Sequence, residues 1–288
     1  MSSQPANLRM ILDNAGDSAT LSADPVLVST LPVGNLQLQE GAKVARSTSA
    51  ATQYIHFDMT RSRVIDSDMF VLLGDFSNSA TVKITLYSGA GQTGDEVYSS
   101  EPELVWKPIP WEEFAWGTYE WGGGAIYDKT NATPASTISP ADNGELYLSG
   151  TFEIIDHDNE NGYHNLHRLF IGQKLTPSVN FGYGYAIELR DTSQQHRDAG
   201  GGLVTFPTEP YRATRFTLEH MTRQEFSAFW TGLSVCGKVK DIYLDMLPDS
   251  SGIEQAAHAM RGKFIKIPTF AQSYDGNYGA DFEIEETK

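Results

Sequence analysis

The stretch Asp68–Tyr87, which reads DMFVLLGDFSNSATVKITLY, sets the fold class. Its first part, Met69–Leu73, is apolar at every position, as in a strand that is covered on both faces. Its last part places Val82, Ile84 and Leu86 at alternate positions, as in a strand that is covered on one face. The residues between them are rich in aspartate, asparagine and serine, which favour turns. Two adjacent strands of these two kinds predict layered sheets.

The flanking sequence repeats this pattern in both directions. Tyr54–Asp58 alternates before it, and the glycine-rich turn Gly89–Gly94 follows it. Short strands at this spacing, without a long helical period, are typical of a β-sandwich. Segment 128–143 is rich in threonine, serine, proline and alanine and is typical of a connection. The sequence therefore predicts a β-sandwich domain over residues 1–140 and a second domain over residues 141–288.

The second half again consists mainly of strand patterns, at Glu145–Ile155, Leu166–Ile171 and Tyr185–Arg190. A further alternating run at Val239–Leu247 predicts a strand with one largely apolar face. We therefore expect a mainly β protein, whose C-terminal domain is β-rich.

One helix is expected near residues 222–236. Thr222 and Glu225 form a capping-box pattern, in which each side chain can accept a hydrogen bond from a free backbone N–H. An apolar stripe follows at Phe226, Phe229, Trp230 and Leu233, and Gly237 can take the left-handed conformation that ends a helix. This principal helix makes the C-terminal domain an α+β domain.

The charge balance argues against two classes of partner. The chain has 21 Lys and Arg against 37 Asp and Glu, a formal net charge of −16. Such a field repels phosphate backbones and anionic lipid head groups, so we expect no nucleic-acid binding and no membrane insertion. The segment Met1–Asp13 lacks the pattern of a secretion signal, which predicts synthesis and retention in a cytoplasm.

Metal and cofactor motifs are weak. The lone cysteine, Cys236, has no partner for a disulfide or a thiolate cluster, and its apolar neighbours predict burial. The acidic run Asp156–Gly162 resembles the start of a calcium loop, but Asn161 and His167 hold the positions that require glycine and glutamate. His157, His164 and His167 match no standard zinc spacing. The sequence predicts a solvated polar loop here, with no metal and no cofactor.

Four tryptophans form the most unusual segment of the sequence. Their spacing of five matches neither a strand face nor a helix face, which predicts a loop or an interrupted edge. Tryptophan is suited both to stacking on sugar rings and to packing or subunit contact. The candidate glycan or subunit contacts are Trp106, Trp111, Trp116 and Trp121.

No catalytic constellation stands out. Glu112 and Glu113 lie among the tryptophans, but adjacent residues on an extended chain point to opposite faces and cannot flank one glycosidic bond. A hydrolase would need a distant acid such as Asp156 or Asp158. The sequence also lacks a Gly-x-Ser-x-Gly elbow. We therefore predict that the protein is not an enzyme, and a hydrolase is the third hypothesis.

The order of features resembles that of tailed-bacteriophage proteins. Residues 32–36, 45–48, 55–58, 66–74 and 80–87 together look like the galactose-binding-type jelly-roll module at the front of many virion proteins. The second half resembles minor tail proteins of the distal-tail or baseplate type. The features that carry this second resemblance are Leu169–Gly172, Pro177, Asp191, Gly200–Gly202, the Arg215–Met221 strand, the capped helix, the strand that ends at Pro248, Arg261–Gly262 and Asp281–Glu286.

The resemblance implies a structural component of a phage tail tip or baseplate. Such a protein forms a homo-oligomeric ring that joins the tail tube to the receptor-binding tip. Its partners would be copies of itself and the tail-tube, hub and tip proteins, and its location the virion tail, after synthesis in the host cytoplasm. The alternative hypothesis is a carbohydrate-binding module that contacts bacterial surface glycans through an aromatic face.

Overall fold

The computed structural model describes residues 7–107, 135–140 and 144–287. The chain divides into two compact units. Unit 1 comprises Met1–Thr176 and Ile242–Met260, and unit 2 comprises Pro177–Asp241 and Arg261–Lys288. The fold is mainly β, as predicted, but the predicted boundary near residue 140 is wrong. Strands that follow residue 140 complete the first sandwich, because their apolar residues belong to the same core as those of residues 53–87.

Unit 1 contains two antiparallel sheets. The larger sheet consists of β2 (Thr20–Asp24), β4 (Gln53–Val64), β6 (Thr81–Tyr87), β7 (Glu96–Ser99), β8 (Glu103–Leu104) and β10 (Leu146–Ile155). The smaller sheet consists of β3 (Ala45–Arg46), β5 (Asp68–Gly74), β9 (Ala135–Ile138) and β11 (Asn165–Gln173). The strand order of the larger sheet is β2-β4-β10-β6-β7, with β8 also paired to β6, and that of the smaller sheet is β3-β11-β5-β9.

The core of unit 1 lies between these sheets. The alternation seen in the sequence is reproduced in the burial of β6 and of residues 53–59 in β4, where every second residue is buried. Phe57 of β4 packs against Phe70 of β5 and Phe152 of β10, with ring centroids 6.2 and 5.8 Å apart. This arrangement confirms the predicted β-sandwich.

Strand β5 is covered on both faces, as its apolar sequence predicts. All seven of its residues are buried. Phe70 and Leu72 face the main core, whereas Met69 and Val71 belong to a second apolar cluster with Tyr243. Tyr243 lies in β16 (Ile242–Asp245), which pairs with β1 (Arg9–Ile11).

Unit 1 also contains short helices. They are the 3-10 helices at Ala15–Ser18, Val33–Gln37 and Ile65–Ser67, and α2 at Gly252–His258. Across the parts of the chain that the structure describes, no helix combines the length and apolarity needed to cross a bilayer.

The strands of unit 2 are β12 (Ala186–Arg190), β13 (Gln194–Arg197), β14 (Leu203–Phe206), β15 (Tyr211–Met221), β17 (Ala259–Lys266), β18 (Ala271–Tyr274) and β19 (Asn277–Glu286). They form an antiparallel sheet in the order β17-β19-β15-β12, with β18 also paired to β19, and a separate two-stranded hairpin, β13-β14.

The predicted helix is present as α1 (Arg223–Cys236). Both hydrogen bonds of the capping box are formed, and Gly237 ends the helix with φ of 53°. Phe229 and Leu233 are buried, and Phe229 packs on Phe282 of β19 with ring centroids 5.8 Å apart. The prediction of a buried Cys236 is confirmed, because that residue is 2% exposed.

One smaller prediction is confirmed only in part, and another is wrong. The strand expected at Val239–Leu247 spans only Ile242–Asp245, and all four residues are buried, because this strand is covered on both faces. The connection expected over residues 128–143 contains β9, whose residues Ala135–Ile138 pair with β5. A short edge strand of small and polar residues gives no clear alternation in sequence, which is why the pattern missed it.

Candidate functional site

Two loops lie side by side at one end of the sandwich in unit 1. Loop 75–80 connects β5 to β6, and loop 156–164 connects β10 to β11. Their proximity follows from the pairing register, because Ile155 is opposite Thr81 and Leu166 is opposite Gly74. We refer to these two loops, together with Arg46, Asn165 and His167, as the loop-end site.

Buried polar side chains join the two loops. Asp156 is 1% exposed, and its carboxylate accepts hydrogen bonds from the backbone N–H and the hydroxyl of Ser77. Asn159 is also buried, and its Nδ2 donates to the carbonyl of Asp75 at 2.8 Å and to Asp156 at 2.9 Å. Buried and satisfied networks of this kind rigidify a loop, so the exposed residues beside them are held in place.

The Asp75 carboxylate organises a second row of polar groups. Asn165 Nδ2 donates to Asp75 Oδ2 at 3.0 Å, and His167 Nε2 lies 2.8 Å from Asp75 Oδ1. Burial by itself disfavours the charged form of Asp75. The hydrogen bonds from His167 and Asn165, together with the charge of Arg46, outweigh that effect and lower the pKa of the carboxyl below its usual value. The carboxylate is therefore ionised at neutral pH.

Arg46 extends this row towards an aromatic ring. Its Nε donates to Asn165 Oδ1 at 2.8 Å, and its guanidinium carbon lies 4.3 Å from the ring centroid of Tyr163. This distance is within the range of a cation–π contact. Arg46 and Tyr163 are both half-buried, so each offers part of its surface to solvent.

A cleft with a volume of about 520 Å³ is lined by residues of both loops. The buried ring of Phe76 contributes to its lining, and the other lining side chains offer hydroxyl, amide and carboxylate groups. They are Ser77, Asn78, Ser79, Asp158, Asn159, Glu160 and Asn161. Ser79 donates to Asp158 at 2.8 Å, whereas the side chains of Asn78, Glu160 and Asn161 are exposed.

The loop predicted to be a solvated polar hairpin is therefore only partly solvated. His157, Asp158 and Glu160 are exposed, but His164 is fully buried and its Nε2 lies 3.2 Å from the carbonyl oxygen of Asp156. Burial lowers the pKa of His164, with smaller opposing contributions from Asp156. The ring is thus neutral at neutral pH and packs as part of the loop.

The three histidines weighed as a zinc site have three different partners. His157 Nδ1 lies 3.0 Å from the carbonyl of Ala50, His164 contacts Asp156, and His167 contacts Asp75. Within residues 7–107, 135–140 and 144–287, no group of three or more His, Cys, Asp or Glu side chains is arranged to hold a metal ion.

Of the four tryptophans predicted as contact residues, only Trp106 lies in the described part of the chain. It is 6% exposed, so little of its surface is available to solvent. Trp111, Trp116 and Trp121 lie outside the described residues, as do Glu112 and Glu113 of the hydrolase hypothesis. Predictions about these five residues stay predictions.

Sequence reasoning missed most of the loop-end site. Asp156–Gly162 stood out as polar, but Arg46, Asp75 and Asn165 did not. Asn165 lies 119 residues after Arg46 and 90 residues after Asp75, so the sequence does not show that these side chains meet. The available signal was the pair of polar loops that follow two adjacent core strands. The two loops are recognised as one site only once the pairing of β10 with β6 and of β11 with β5 is known.

Comparisons with known proteins give distant structural similarity. No family model matches the chain, and a search of curated proteins found no match. One similar structure is the family 32 carbohydrate-binding module of NanJ from C. perfringens in complex with galactose, with 12% identity over 56% of this chain and 98% of that chain and a TM-score of 0.36.

Two further structures show the same level of similarity. A family 32 module from a family 31 glycoside hydrolase of Clostridium perfringens has 13% identity over 56% of this chain and 99% of that chain, with a TM-score of 0.35. A fucolectin from striped bass serum has 11% identity over 96% of this chain and 92% of that chain, with a TM-score of 0.33. These identities and scores are too low to assign a family or a ligand to the chain.

Proposed function

We propose that unit 1 binds carbohydrate at the loop-end site. The observation that carries this proposal is the open cleft of about 520 Å³, lined by hydroxyl, amide and carboxylate side chains on two adjoining loops. This volume lies in the usual range for small-molecule sites. Sugar hydroxyls both donate and accept hydrogen bonds, and the lining offers acceptors at Asp158 and Glu160 and both roles at Asn161.

The network beneath the cleft supports a binding role. Asp156 and Asn159 fix the backbone of both loops, so that little loop ordering remains to oppose binding. A preorganised surface gives more affinity from the same contacts. The half-buried ring of Tyr163 and the adjacent Arg46 add one aromatic and one cationic group to the loop-end site.

The proposal is tested by isothermal titration of the full chain with a panel of neutral, amino and acidic saccharides. Asn161→Ala removes an exposed amide but keeps the backbone hydrogen bond from Asn161 N–H to Asn159. Loss of one hydrogen bond of about 1 kcal/mol weakens binding about fivefold. Gln173→Ala is the matched control, because Gln173 is an exposed amide at the opposite end of β11.

Saturable binding to a saccharide, weakened by Asn161→Ala and unchanged by Gln173→Ala, supports the proposal. Binding that both variants leave unchanged places the ligand elsewhere and overturns the assignment to the cleft. Absence of saturable binding across the panel overturns the carbohydrate function itself.

The structural role in a phage tail tip, with a homo-oligomeric ring, stays a prediction from the resemblance. It is compatible with sugar binding, because a tail-tip protein works next to a surface that carries glycans. Negative-stain images of the purified protein provide its test. Closed rings support the role, and a strict monomer counts against self-assembly.

A further inference from the structure

Exposed apolar side chains are concentrated in the smaller unit. Among the described residues, 17 large apolar side chains are exposed, and 12 of them belong to unit 2. Seven of these lie within one continuous segment, residues 179–206. They are Val179, Tyr183, Tyr185, Leu189, Leu203, Val204 and Phe206. Single exposed apolar residues are normal, but a concentration of this kind marks a contact surface.

The hairpin β13-β14 lies within this segment. All eight of its strand residues are exposed, including Leu203 at 56% and Phe206 at 61%. Asp198 shapes the turn, since its carboxylate accepts from Gly202 N–H at 2.7 Å. A two-stranded hairpin alone is at best marginally stable in water, so a covered apolar face would stabilise it considerably.

An open sheet edge lies in the same segment. In the described part of the chain, β12 pairs with β15 on one side only, and Leu189 of β12 is 69% exposed. Exposed edges of this kind offer unpaired backbone groups to another strand. Among the described residues, the segment thus contains a two-stranded ribbon that pairs with no other strand and a strand edge with no partner, and both can add a further strand.

The charge distribution favours a second copy of the chain as the occupant. Unit 2 contains 11 Lys and Arg and 12 Asp and Glu, a formal charge of −1, which leaves −15 of the total −16 on unit 1. Like charges oppose the association of identical chains. Copies therefore meet at the least electrostatic cost through the nearly neutral unit 2.

We infer that residues 179–206 form a contact between copies of this chain. The exposed parts of Tyr183, Tyr185 and Phe206 alone amount to roughly 300–500 Å². That is about half of the ~800 Å² that each partner contributes to a standard interface. The aliphatic residues and the backbone of the hairpin supply further area.

The test is the mass distribution of the full chain, by analytical ultracentrifugation over a range of protein concentrations. The double variant Leu203→Ser, Phe206→Ser shifts the protein towards monomer, with at least a tenfold weaker self-association. Val26→Ser with Val64→Ser is the control, because both residues are exposed apolar positions of unit 1. Circular dichroism verifies that both double variants keep the wild-type strand content.

Hydrogen exchange provides a second measurement that does not depend on substitution. Amides of residues 194–206 exchange more slowly at high protein concentration, whereas amides of loop 88–95 in unit 1 exchange at the same rate. A wild-type protein that stays monomeric, or an oligomer that persists in the hairpin variant, overturns the inference. Sugar binding by unit 1 is measured separately, so either proposal can fail without the other.

Discussion

The fully buried carboxylate of Asp68 is the most consequential polar residue of the sandwich. Arg63 donates to it from Nε at 2.5 Å and from a terminal nitrogen at 2.6 Å, and the hydroxyl of Tyr147 donates at 2.6 Å. Burial, reinforced by the charge of Asp68, raises the pKa of Tyr147, so its proton stays in place for donation. These three groups lie on β4, β5 and β10, so the network joins the two sheets.

Removing one donor from this network tests its contribution. Tyr147→Phe leaves a buried carboxylate short of one hydrogen bond, which we expect to lower the free energy of unfolding by about 1–3 kcal/mol. Urea denaturation followed by far-UV circular dichroism gives this quantity. Tyr54→Phe is the control, because the hydroxyl of Tyr54 donates to Glu153 at 3.2 Å in a partly solvated position. Equal losses in the two variants would contradict a special role for Asp68.

At the scale of elements, helix α1 depends on its first turn. Thr222 Oγ1 accepts from Glu225 N–H at 3.3 Å, and the Glu225 carboxylate accepts from Thr222 N–H at 2.6 Å. Thr222→Ala removes the first of these bonds and is expected to lower the free energy of unfolding by about 1 kcal/mol. Thr231→Ala, at an exposed position inside the helix, should be neutral or slightly stabilising, because alanine is the better helix former. Chemical denaturation measures both variants. An unchanged free energy of unfolding in Thr222→Ala would show that the capping hydrogen bond does not stabilise the fold.

Strand β16 carries a carboxyl group that responds to pH. Burial raises the pKa of Asp245 to about 6, and the charge of Asp249 adds to this, whereas Lys107 and Arg9 oppose it. The unfolded chain releases this proton near the ordinary value of 3.8, so the folded chain binds more protons between the two values. The folded state therefore loses stability as the pH rises from about 4 to about 6 and regains none above it.

Asp245→Asn removes this ionisation. We expect little difference from wild type below pH ~4 and a gain of up to about 3 kcal/mol above pH ~6, since each unit of pKa shift corresponds to about 1.4 kcal/mol. Urea denaturation at the two pH values measures it. Asp95→Asn, at an exposed position, controls for the substitution itself. A variant that is less stable than wild type above pH ~6 would show that the ionised carboxylate stabilises the fold, which would contradict the raised pKa.

The sequence predicts individual strands and helices better than it predicts how they pair. Alternation in β4 and β6 and the continuous apolar run of β5 identified strands correctly, because burial of one face or two faces is a local property. The capping box identified α1 for the same reason. Pairing is not local. The sequence did not indicate that β10 and β11 complete the first sandwich, so the domain boundary and the Asp75–Asn165 contact were both missed.

The hairpin β13-β14 was missed for a different reason. Gln194–Arg197 is polar at every position. All four residues of Leu203–Phe206 are exposed, so neither face of this strand is buried within unit 2. Periodicity detects a strand by its contrast between a buried and an exposed face. A ribbon that is exposed on both faces in a single copy has no such contrast, which agrees with our inference that its covering surface lies on another chain.

At the scale of the whole molecule, the two units differ in surface chemistry. Unit 1 carries a formal charge of −15 and the polar loop-end site, whereas unit 2 carries −1 and most of the exposed apolar residues. This division separates the two proposed activities. The high charge of unit 1 keeps the surface around the sugar site hydrated and opposes self-association there. The nearly neutral surface of unit 2 allows close approach of a second chain.

The charge of unit 1 makes self-association sensitive to salt. At about 0.01 M salt the Debye length is about 30 Å, so two acidic chains repel each other over distances comparable to their own size, whereas at about 0.15 M it is about 8 Å. We expect the dissociation constant to fall as salt rises over this interval, since the apolar contact itself changes little. Sedimentation velocity at both salt concentrations measures it. The double variant Leu203→Ser, Phe206→Ser should stay monomeric at both, because screening removes repulsion but creates no contact. Association that weakens with added salt would instead indicate an interface built on opposite charges, and residues 179–206 would then not be its centre.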